Sequence, residues 1–330
     1  MLEKLTIVKD RYKVLNTEEI RRIATIEAAL LEGARKYFRK NKFVEVVAPH
    51  LTRATGACEN IATMFETNYF GKRAYLSQTG QLYLESLIPL LKKVWCIGPS
   101  FRAEPEADNR HLTEFPLIEI EFEGDFKELL KHIEGTVCSM IKEVLRYNKT
   151  LKKLRINTER LEKVKSPFNK ITYNEAVKRL EHMGVKWGDD LKSRHENALV
   201  EIFGNEPLFI THFPKAIKFF NMRENDSRPE IVNSTDLILP FSGEVLGAAE
   251  REHRYEKLKK RLENSTMMKM LKERGGSIED FGWYLEHVRS GKIGLHSGFG
   301  LGLNRMTQFV LGVDDIRAST VFPLNSENLM

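Results

Sequence analysis

Apolar residues recur at helical spacing along several stretches of the chain. Between residues 17 and 40 they fall at every third or fourth position, and Thr17 precedes two glutamates as a helix N-cap does. Residues 126–147 repeat the pattern, and residues 303–311 form an apolar run directly after a glycine-rich segment. We expect helices at these places. Shorter helices are expected at residues 80–91 and 172–184, and a long charged helix is expected to begin at residues 252–260.

Strands are indicated by short apolar or alternating runs. At residues 115–122, Ile118 and Ile120 alternate with Glu119 and Glu121, which predicts an antiparallel partner for residues 94–104 with one face buried. Further strands are expected at residues 43–47, 75–77, 208–213, 219–222 and 236–239. The fold class is therefore α+β, a mostly antiparallel sheet flanked by helices.

The 330 residues are expected to form one domain, with residues 1–19 as an N-terminal extension and residues 149–205 as a linker or insertion. No stretch is apolar enough for a membrane helix, and the first residues lack the pattern of a signal peptide. Three cysteines lie far apart and form no CxxC pair, so neither a disulfide framework nor a zinc cluster is indicated. We expect a cytoplasmic protein. Its net charge of +6 permits a phosphate-rich partner without identifying one.

The first candidate chemistry lies around one predicted hairpin loop. Arg102, Arg110 and His111 precede Phe115 there. Arginine binds phosphate through two parallel hydrogen bonds, and an aromatic ring offers a face to a purine base. The loop is therefore suited to a nucleoside triphosphate. A solvated charged hairpin is the alternative.

Two more segments carry candidate chemistry. Residues 298–302 hold three glycines before a helix, which allow a ligand to approach the backbone, although the pattern is not the dinucleotide fingerprint. Residues 243–252 place three glutamates around small residues and Arg251. Such carboxylates are suited to Mg²⁺ on phosphates. The alternative is a helix N-terminus that is rich in acids.

In order and spacing, these segments resemble the catalytic core of the class II aminoacyl-tRNA synthetases. Residues 101–115 resemble motif 2, residues 298–305 resemble motif 3, and residues 43–51 resemble motif 1, the dimer-interface motif. The chain is most similar to the aspartyl/asparaginyl subgroup. The resemblance implies a homodimer that uses ATP to form an aminoacyl-adenylate and releases pyrophosphate.

The resemblance also implies an ATP site. Arg102 would bind the α-phosphate, Phe115 and Arg305 would stack on the adenine, and Glu244 would hold Mg²⁺. Arg102, Glu244 and Arg305 are thus the expected catalytic residues. The remaining contacts implied with ATP are those of Glu104 with the adenine amino group and of Arg110 and His111 with the γ-phosphate.

Residues 78–85 resemble the asparaginyl version of the amino-acid pocket. Leu84 stands where aspartyl enzymes have a lysine, and Glu85 follows it. A carboxylate accepts a hydrogen bond from an amide NH₂ but repels a second carboxylate, so asparagine is favoured over aspartate. Arg251 would meet the side-chain carbonyl, and Glu59, with Gln81 nearby, the α-ammonium. For Glu85, the alternative is an outward-facing helical acid.

The chain departs from the family pattern at three places. Asn304 stands where glutamate is usual, residues 247–250 replace Gly-Gly-Ser-Gln, and Leu324 stands where arginine is usual. About 20 residues precede the first helix, too few for the OB-fold that reads the anticodon in this subgroup, so no anticodon-binding domain is expected.

The acceptor of the activated amino acid stays open. It is a tRNA acceptor end, a carrier protein, a peptide or a small amine. Two alternative functions also stay open. One is an asparagine synthetase that activates aspartate for amidation by ammonia, and the other is a regulatory paralogue that binds without turnover.

Overall fold

A large sheet carries helices on one face and the candidate site on the other. The computed structural model describes residues 5–53 and 61–329. The strands are β1 (Val44–Glu45), β2 (Leu51–Thr52), β3 (Glu66–Tyr69), β4 (Lys72–Leu76), β5 (Lys93–Phe101), β6 (Glu114–Glu123), β7 (Asn169–Thr172), β8 (Leu208–Thr211), β9 (Ser234–Leu239), β10 (Gly243–Glu250) and β11 (His296–Gly302). The helices are α1 (Glu18–Lys40), α2 (Gln81–Leu91), α3 (Phe126–Leu145), α4 (Asn148–Lys153), α5 (Thr158–Glu162), α6 (Tyr173–Leu180), α7 (Ser193–Ile202), α8 (Tyr255–Glu263), α9 (Thr266–Glu273), α10 (Gly282–Arg289) and α11 (Leu303–Leu311).

Eight strands form the main sheet in the order β1-β5-β6-β11-β10-β9-β8-β7, and β2, β4 and β3 form a small second sheet. The pairs from β5 to β8 are antiparallel, whereas β1 pairs with β5 and β7 with β8 in parallel. The prediction of a mostly antiparallel α+β fold is confirmed. Among the described residues, no helix has both the length and the apolarity that a bilayer crossing requires.

Helices α1, α3 and α11 cover one face of the sheet and build the main core. Ile118, Ile120 and Phe122 of β6 point into this core with Phe299 and Leu301 of β11. Close approach of α1 and α3 depends on a glycine. A Cβ at Gly33 would lie 2.5 Å from the Met140 Cα. Each of these two helices buries the apolar face that its helical periodicity predicts.

Four sequence-based expectations differ from the structure. The long charged helix expected from residue 252 is two short helices, because α8 ends at Glu263 and the Ser265 hydroxyl caps α9 by accepting from the Met268 backbone N–H. Residues 219–222 form no strand beyond a bridge from Met222 to Arg251, because Arg261 donates to the backbone carbonyls of Phe219 and Met222. Residues 243–250 are a strand and not a helix N-terminus, since β9 and β11 pair with both of its edges. In β6 both faces are enclosed, because Glu119 and Glu121 are as buried as the apolar residues.

Residues 149–205, which the sequence suggests as a linker or insertion, contain regular structure. They form α4 and α5, then β7, α6 and α7. β7 extends the edge of the main sheet by pairing with β8. Apolar residues of β7, α6 and α7 form a separate core cluster with β8, around Tyr173 and Leu199.

The glycines of β11 provide a test of this packing. A Cβ at Gly298 would overlap the Glu121 carboxylate and the Ile120 carbonyl, whereas a Cβ at Gly300 would make an ordinary contact, 3.5 Å from Leu117. We expect Gly298→Ala to lower the free energy of unfolding by about 1–3 kcal/mol, as overpacking does. Gly300→Ala is the matched control and should unfold within about 0.5 kcal/mol of the wild type. Urea denaturation measures both, and equal stability of the two variants would contradict the packing described.

Candidate active site

The floor of the candidate site is a strip of backbone without side chains. In β11, Phe299 and Leu301 face the helices, so the three glycines of the strand face the other side of the sheet. Gly300 pairs with Glu119 of β6 on one side and with Gly247 of β10 on the other, and Gly247 pairs with Asp236. Glycine backbone lies between two acidic residues, where a flat ligand can approach closely.

A cavity of about 200 Å³ lies above this floor. It is lined by most of the residues that the sequence marks for the site, namely Gln81, Arg102, Arg110, His111, Phe115, Glu244, Arg251 and Arg305. Two others among the described residues do not line it: Glu104, whose backbone turns back on Arg102, and Glu85, which lies behind Gln81. Glu59 falls outside the described residues.

Arg305 enters the cavity from the first turn of α11. Its Nη1 donates to the backbone carbonyls of Ser242 at 2.9 Å and Glu244 at 3.0 Å. Its Nη2 donates to the Arg110 carbonyl at 3.4 Å. Carbonyl oxygens from two loops thus fix the plane of the guanidinium, and a planar, fixed cation suits stacking on a base.

The loop between β5 and β6 carries the other cations. The Arg102 guanidinium lies 5.0 Å from the centroid of the Phe115 ring. Asp108 organises the loop, because its Oδ1 accepts hydrogen bonds from the backbone N–H groups of Arg110 and His111, both at 2.8 Å. Its Oδ2 lies 2.7 Å from the His111 Nδ1. The local turn therefore presents Arg110 and His111 to the cavity together.

Three carboxylates, those of Glu196, Asp236 and Glu244, meet beside this loop, and the Arg110 Nη2 lies 3.4 Å from the Glu196 Oε2. The Asp236 Oδ2 accepts from the Lys218 Nζ at 2.6 Å, and the Glu196 Oε2 accepts from the Glu244 backbone N–H at 3.3 Å. Burial, together with the charges of Glu244 and Glu196, raises the pKa of Asp236 to about 7. Burial and Glu244 raise the pKa of Glu196 as well. Gly243 makes this approach possible, because a side chain there would overlap the Glu196 carboxylate.

Sequence reasoning missed Glu196, Lys218 and Asp236. A signal existed for Asp236, because it is an acid directly before the apolar run Leu237–Leu239 of a predicted strand. Crowded carboxylates with raised pKa values repel one another, and a divalent cation would relieve that repulsion. The donor set fits Mg²⁺, which takes oxygen ligands from one or two carboxylates and the phosphates of a substrate.

At the other end of the cavity, Glu85 lies at the centre of a buried network. It is 0% exposed, so the alternative of an outward-facing acid is wrong. Its carboxylate accepts from the Gln81 Nε2 and the Tyr284 hydroxyl, each at 2.6 Å, and from the His296 Nε2 at 3.2 Å. Burial alone would raise the pKa of Glu85, but the hydrogen bond and charge of His296 hold it below its usual value.

His296 and Arg251 balance the acids of this network. The His296 Nδ1 faces the Gly294 carbonyl at 2.8 Å, so both ring nitrogens face acceptors, an arrangement that favours the doubly protonated imidazole. Its pKa is accordingly raised by Glu85 against the effect of burial. Arg251 donates to the Glu121 Oε1 at 2.6 Å, with both side chains buried. Buried ions are tolerated when paired in this way.

Asn304 forms a hydrogen bond that accounts for an amide side chain at this position. Its Nδ2 donates to the Glu27 Oε1 at 3.3 Å. Burial raises the pKa of Glu27 to about 7. A glutamate at position 304 would place a second carboxyl beside Glu27, whereas the amide of Asn304 donates to it. The departure from the family pattern is thus matched to an acid of α1.

Comparisons with known proteins agree with this geometry. The family described as tRNA synthetases class II (D, K and N) matches residues 3–326. The asparagine–tRNA ligase of Pyrococcus abyssi is 38% identical over 318 residues, covering 95% of this chain and 70% of that protein. The asparagine–tRNA ligase of Pelotomaculum thermopropionicum is 38% identical over 322 residues, covering 96% of this chain and 72% of that protein.

Solved structures give the same result. The crystal structure of asparaginyl-tRNA synthetase from Pyrococcus horikoshii complexed with asparaginyl-adenylate superposes with a TM-score of 0.88 at 38% identity, covering 97% of this chain and 72% of that one. The enzyme from Entamoeba histolytica in complex with asparaginyl-adenylate gives 0.83 at 28% identity, covering 98% and 71%. Since the family match spans nearly the whole chain, this protein belongs to the class II tRNA synthetases of the D, K and N group.

Proposed function

We propose that this chain joins ATP and asparagine into asparaginyl-adenylate, releases pyrophosphate, and passes the asparaginyl group to the 3′ end of a tRNA. The observation that carries the proposal is one continuous cavity, with phosphate-binding cations at one end and a buried acidic network at the other. The relatives named asparagine–tRNA ligase and the neighbour that holds asparaginyl-adenylate support the same reaction.

The first step is an in-line displacement at the α-phosphorus. A carboxylate oxygen of the amino acid forms a bond to phosphorus, and the bond from phosphorus to the bridging oxygen of pyrophosphate breaks. Arg102 would stabilise the charge that develops on the α-phosphate, while Arg110 and His111 hold the γ-phosphate. Phe115 and Arg305 would hold the adenine. The residues act by positioning and charge, and no covalent enzyme intermediate is needed.

Glu244, with Asp236 beside it, would hold Mg²⁺ on the phosphates. Glu244 is exposed to the cavity, whereas Asp236 is buried and bound to Lys218. When bound, the ion neutralises phosphate charge and favours departure of pyrophosphate. When no Mg²⁺ is bound, Lys218 is the counter-ion of Asp236.

Charge at the amino-acid end favours asparagine over aspartate. Glu85, Glu119 and Glu121 are all buried there, and Arg251 is already paired with Glu121. A second carboxylate, from an aspartate side chain, would meet this negative charge, and Leu84 offers no cation to receive it. The neutral amide of asparagine donates hydrogen bonds instead. Gln81, which Glu85 holds in place from behind, is the proposed acceptor, with Arg251 toward the carbonyl. The expected direct contact of Glu85 with the amide is therefore corrected to an indirect one through Gln81.

We also propose that two copies pair through the motif 1 region. Val47 is 94% exposed and Leu90 is 78% exposed, with Val44 and Leu51 also exposed nearby in the chain. An apolar patch of this kind marks a protein interface. The thiols of Cys96 and Cys138 are free, in keeping with the reducing cytoplasm where we place the reaction.

The amino acid is identified by pyrophosphate exchange with ATP. We expect exchange to depend on asparagine, with aspartate at least about 10²-fold less effective because its carboxylate meets buried acids. Exchange that depends on aspartate, with AMP release stimulated by ammonia, would support an asparagine synthetase instead. If no amino acid supports exchange, the protein is a binding paralogue and the proposed activity is wrong.

Arg102→Ala tests the proposed role of motif 2. Loss of a group that stabilises transition-state charge should lower asparagine-dependent exchange by about 10²–10³-fold. The folded state should persist, because Arg102 lies at the cavity and not in the main core. Arg289→Ala is the control, since Arg289 is exposed and pairs with the exposed Glu286. Near-normal exchange by Arg102→Ala would refute the assigned role.

Glu244→Gln tests the metal site. We expect the Mg²⁺ concentration that gives half-maximal exchange to rise about tenfold or more, because the amide removes a charged oxygen ligand. Glu230→Gln, which removes an exposed acid paired with Arg228, should leave this concentration unchanged. The same Mg²⁺ dependence in both variants would show that Glu244 holds no metal.

A further inference from the structure

The positive charge of the chain is concentrated in one segment, residues 142–165. It contains nine lysines and arginines and three glutamates, so its net charge of +6 equals that of the whole chain. The remaining residues together are neutral. Charge clustered in this way is the electrostatic footprint of a phosphate-rich partner.

The segment is fixed to the protein by its apolar residues. Leu151, Leu154, Ile156, Leu161 and Val164 are all buried in the main core, under α4 and α5. With one side anchored, the basic residues project into solvent. We call the exposed ones the basic face; they are Lys142, Arg146, Lys149, Lys152, Lys153, Arg155, Lys163 and Lys165.

Acidic neighbours do not neutralise the basic face. Within the described residues, Arg146 is its one member with an ion pair, to Glu143 at 3.4 Å. Glu143 is itself buried and also bound by the Lys36 Nζ at 2.7 Å. An ordinary protein surface mixes charges of both signs. Because few acids pair with the basic face, its positive electrostatic potential is available to attract a partner.

The chemistry of the face fits RNA better than a membrane. Tyr147 lies between Arg146 and Lys149 and is 42% exposed, so an aromatic ring for a base accompanies the cations. A helix that binds a lipid surface needs apolar side chains that face outward beside its lysines. Here the apolar side chains of α4 and α5 are buried in the core instead.

The basic face is connected to the nucleotide end of the active site. Arg160 of α5 donates to the Phe309 and Val310 carbonyls at the end of α11, and its guanidinium lies 4.8 Å from the Phe241 ring centroid. α11 begins beside the cavity with Arg305 in its first turn. A helix of nine residues is about 14 Å long, so one RNA molecule can reach both places.

We propose that the basic face binds the phosphate backbone of the tRNA whose 3′ end receives the asparaginyl group. The proposal rests on the proposed function for the identity of the RNA. Binding is by charge and backbone shape, with Tyr147 as an additional base contact.

The test compares two variants with the same change in charge. The first replaces Lys149, Lys152 and Lys153 of α4 by glutamine. The control replaces Lys170, Lys178 and Lys186, which are also exposed and lie in β7, in α6 and beyond α6, outside the basic face. Binding of a fluorescent tRNA transcript for asparagine is measured by anisotropy at several salt concentrations, and pyrophosphate exchange is measured in parallel.

We expect the α4 variant to bind tRNA about 10–100-fold more weakly and to show a shallower salt dependence, by about 0.7–0.9 in log–log slope for each phosphate that is no longer neutralised. Its exchange and thermal midpoint should match the wild type, because α4 lies outside the cavity. The control variant should bind tRNA as the wild type does. Equal weakening in both variants would reduce the effect to net charge and overturn the proposal.

Two further outcomes are also decisive. Unchanged tRNA binding by the α4 variant overturns the basic face as an RNA site. Binding of the wild type to phosphatidylserine vesicles as tightly as to tRNA would assign the face to a membrane surface instead. Exchange that fails in the wild type would contradict the proposed function, yet the tRNA-binding comparison would still decide whether the basic face holds RNA.

Discussion

The site depends on the register in which β6, β11 and β10 pair. This register places Phe299 and Leu301 against the helices and turns the three glycines of β11 toward the ligand side. It also aligns Glu119, Gly300, Gly247 and Asp236 in one row across four strands. A slip of one residue would exchange the two faces, so packing of the helical core and shape of the site are specified by the same hydrogen bonds.

Charge balance is the second constraint, because the ligand side of the sheet buries many ionisable groups. Arg251 is paired with Glu121, and His296 with Glu85, both out of contact with water. Removing one partner from such a pair leaves an uncompensated buried charge, which costs about 3–5 kcal/mol. The network at the amino-acid end is therefore a structural element as well as the proposed specificity element. At the nucleotide end, Arg110 pairs with Glu196 and Lys218 with Asp236, yet burial and the nearby carboxylates still raise the pKa values of both acids, and a divalent cation would relieve that repulsion.

Residues that depart from the family pattern form hydrogen bonds of their own in this structure. Asn304 donates to Glu27, a half-buried acid of α1 whose pKa is raised to about 7 by desolvation. The carbonyl of Leu324 accepts from the Thr113 backbone N–H next to the motif 2 loop. Glu250, which replaces glutamine, accepts from the Phe126 backbone N–H at 2.7 Å and from the Asn233 Nδ2 at 2.6 Å. All four basic residues expected to bind ATP line the cavity, so these changes leave the proposed phosphate-binding end in place.

Local pattern in the sequence was sufficient for α1, α3 and α11 and for the hairpin of β5 and β6, because periodicity reports the face that an element buries. Ordered motifs were sufficient for the family and for eight of the expected site residues that line the cavity. The sequence could not place Lys218, Asp236 and Glu196 together, since they come from a loop, a strand and a helix far apart in the chain. Nor could it show that Glu85 is buried under Tyr284 and His296, about 200 residues away in sequence. Such long-range pairings are decided by tertiary packing, which alone fixes which charges meet.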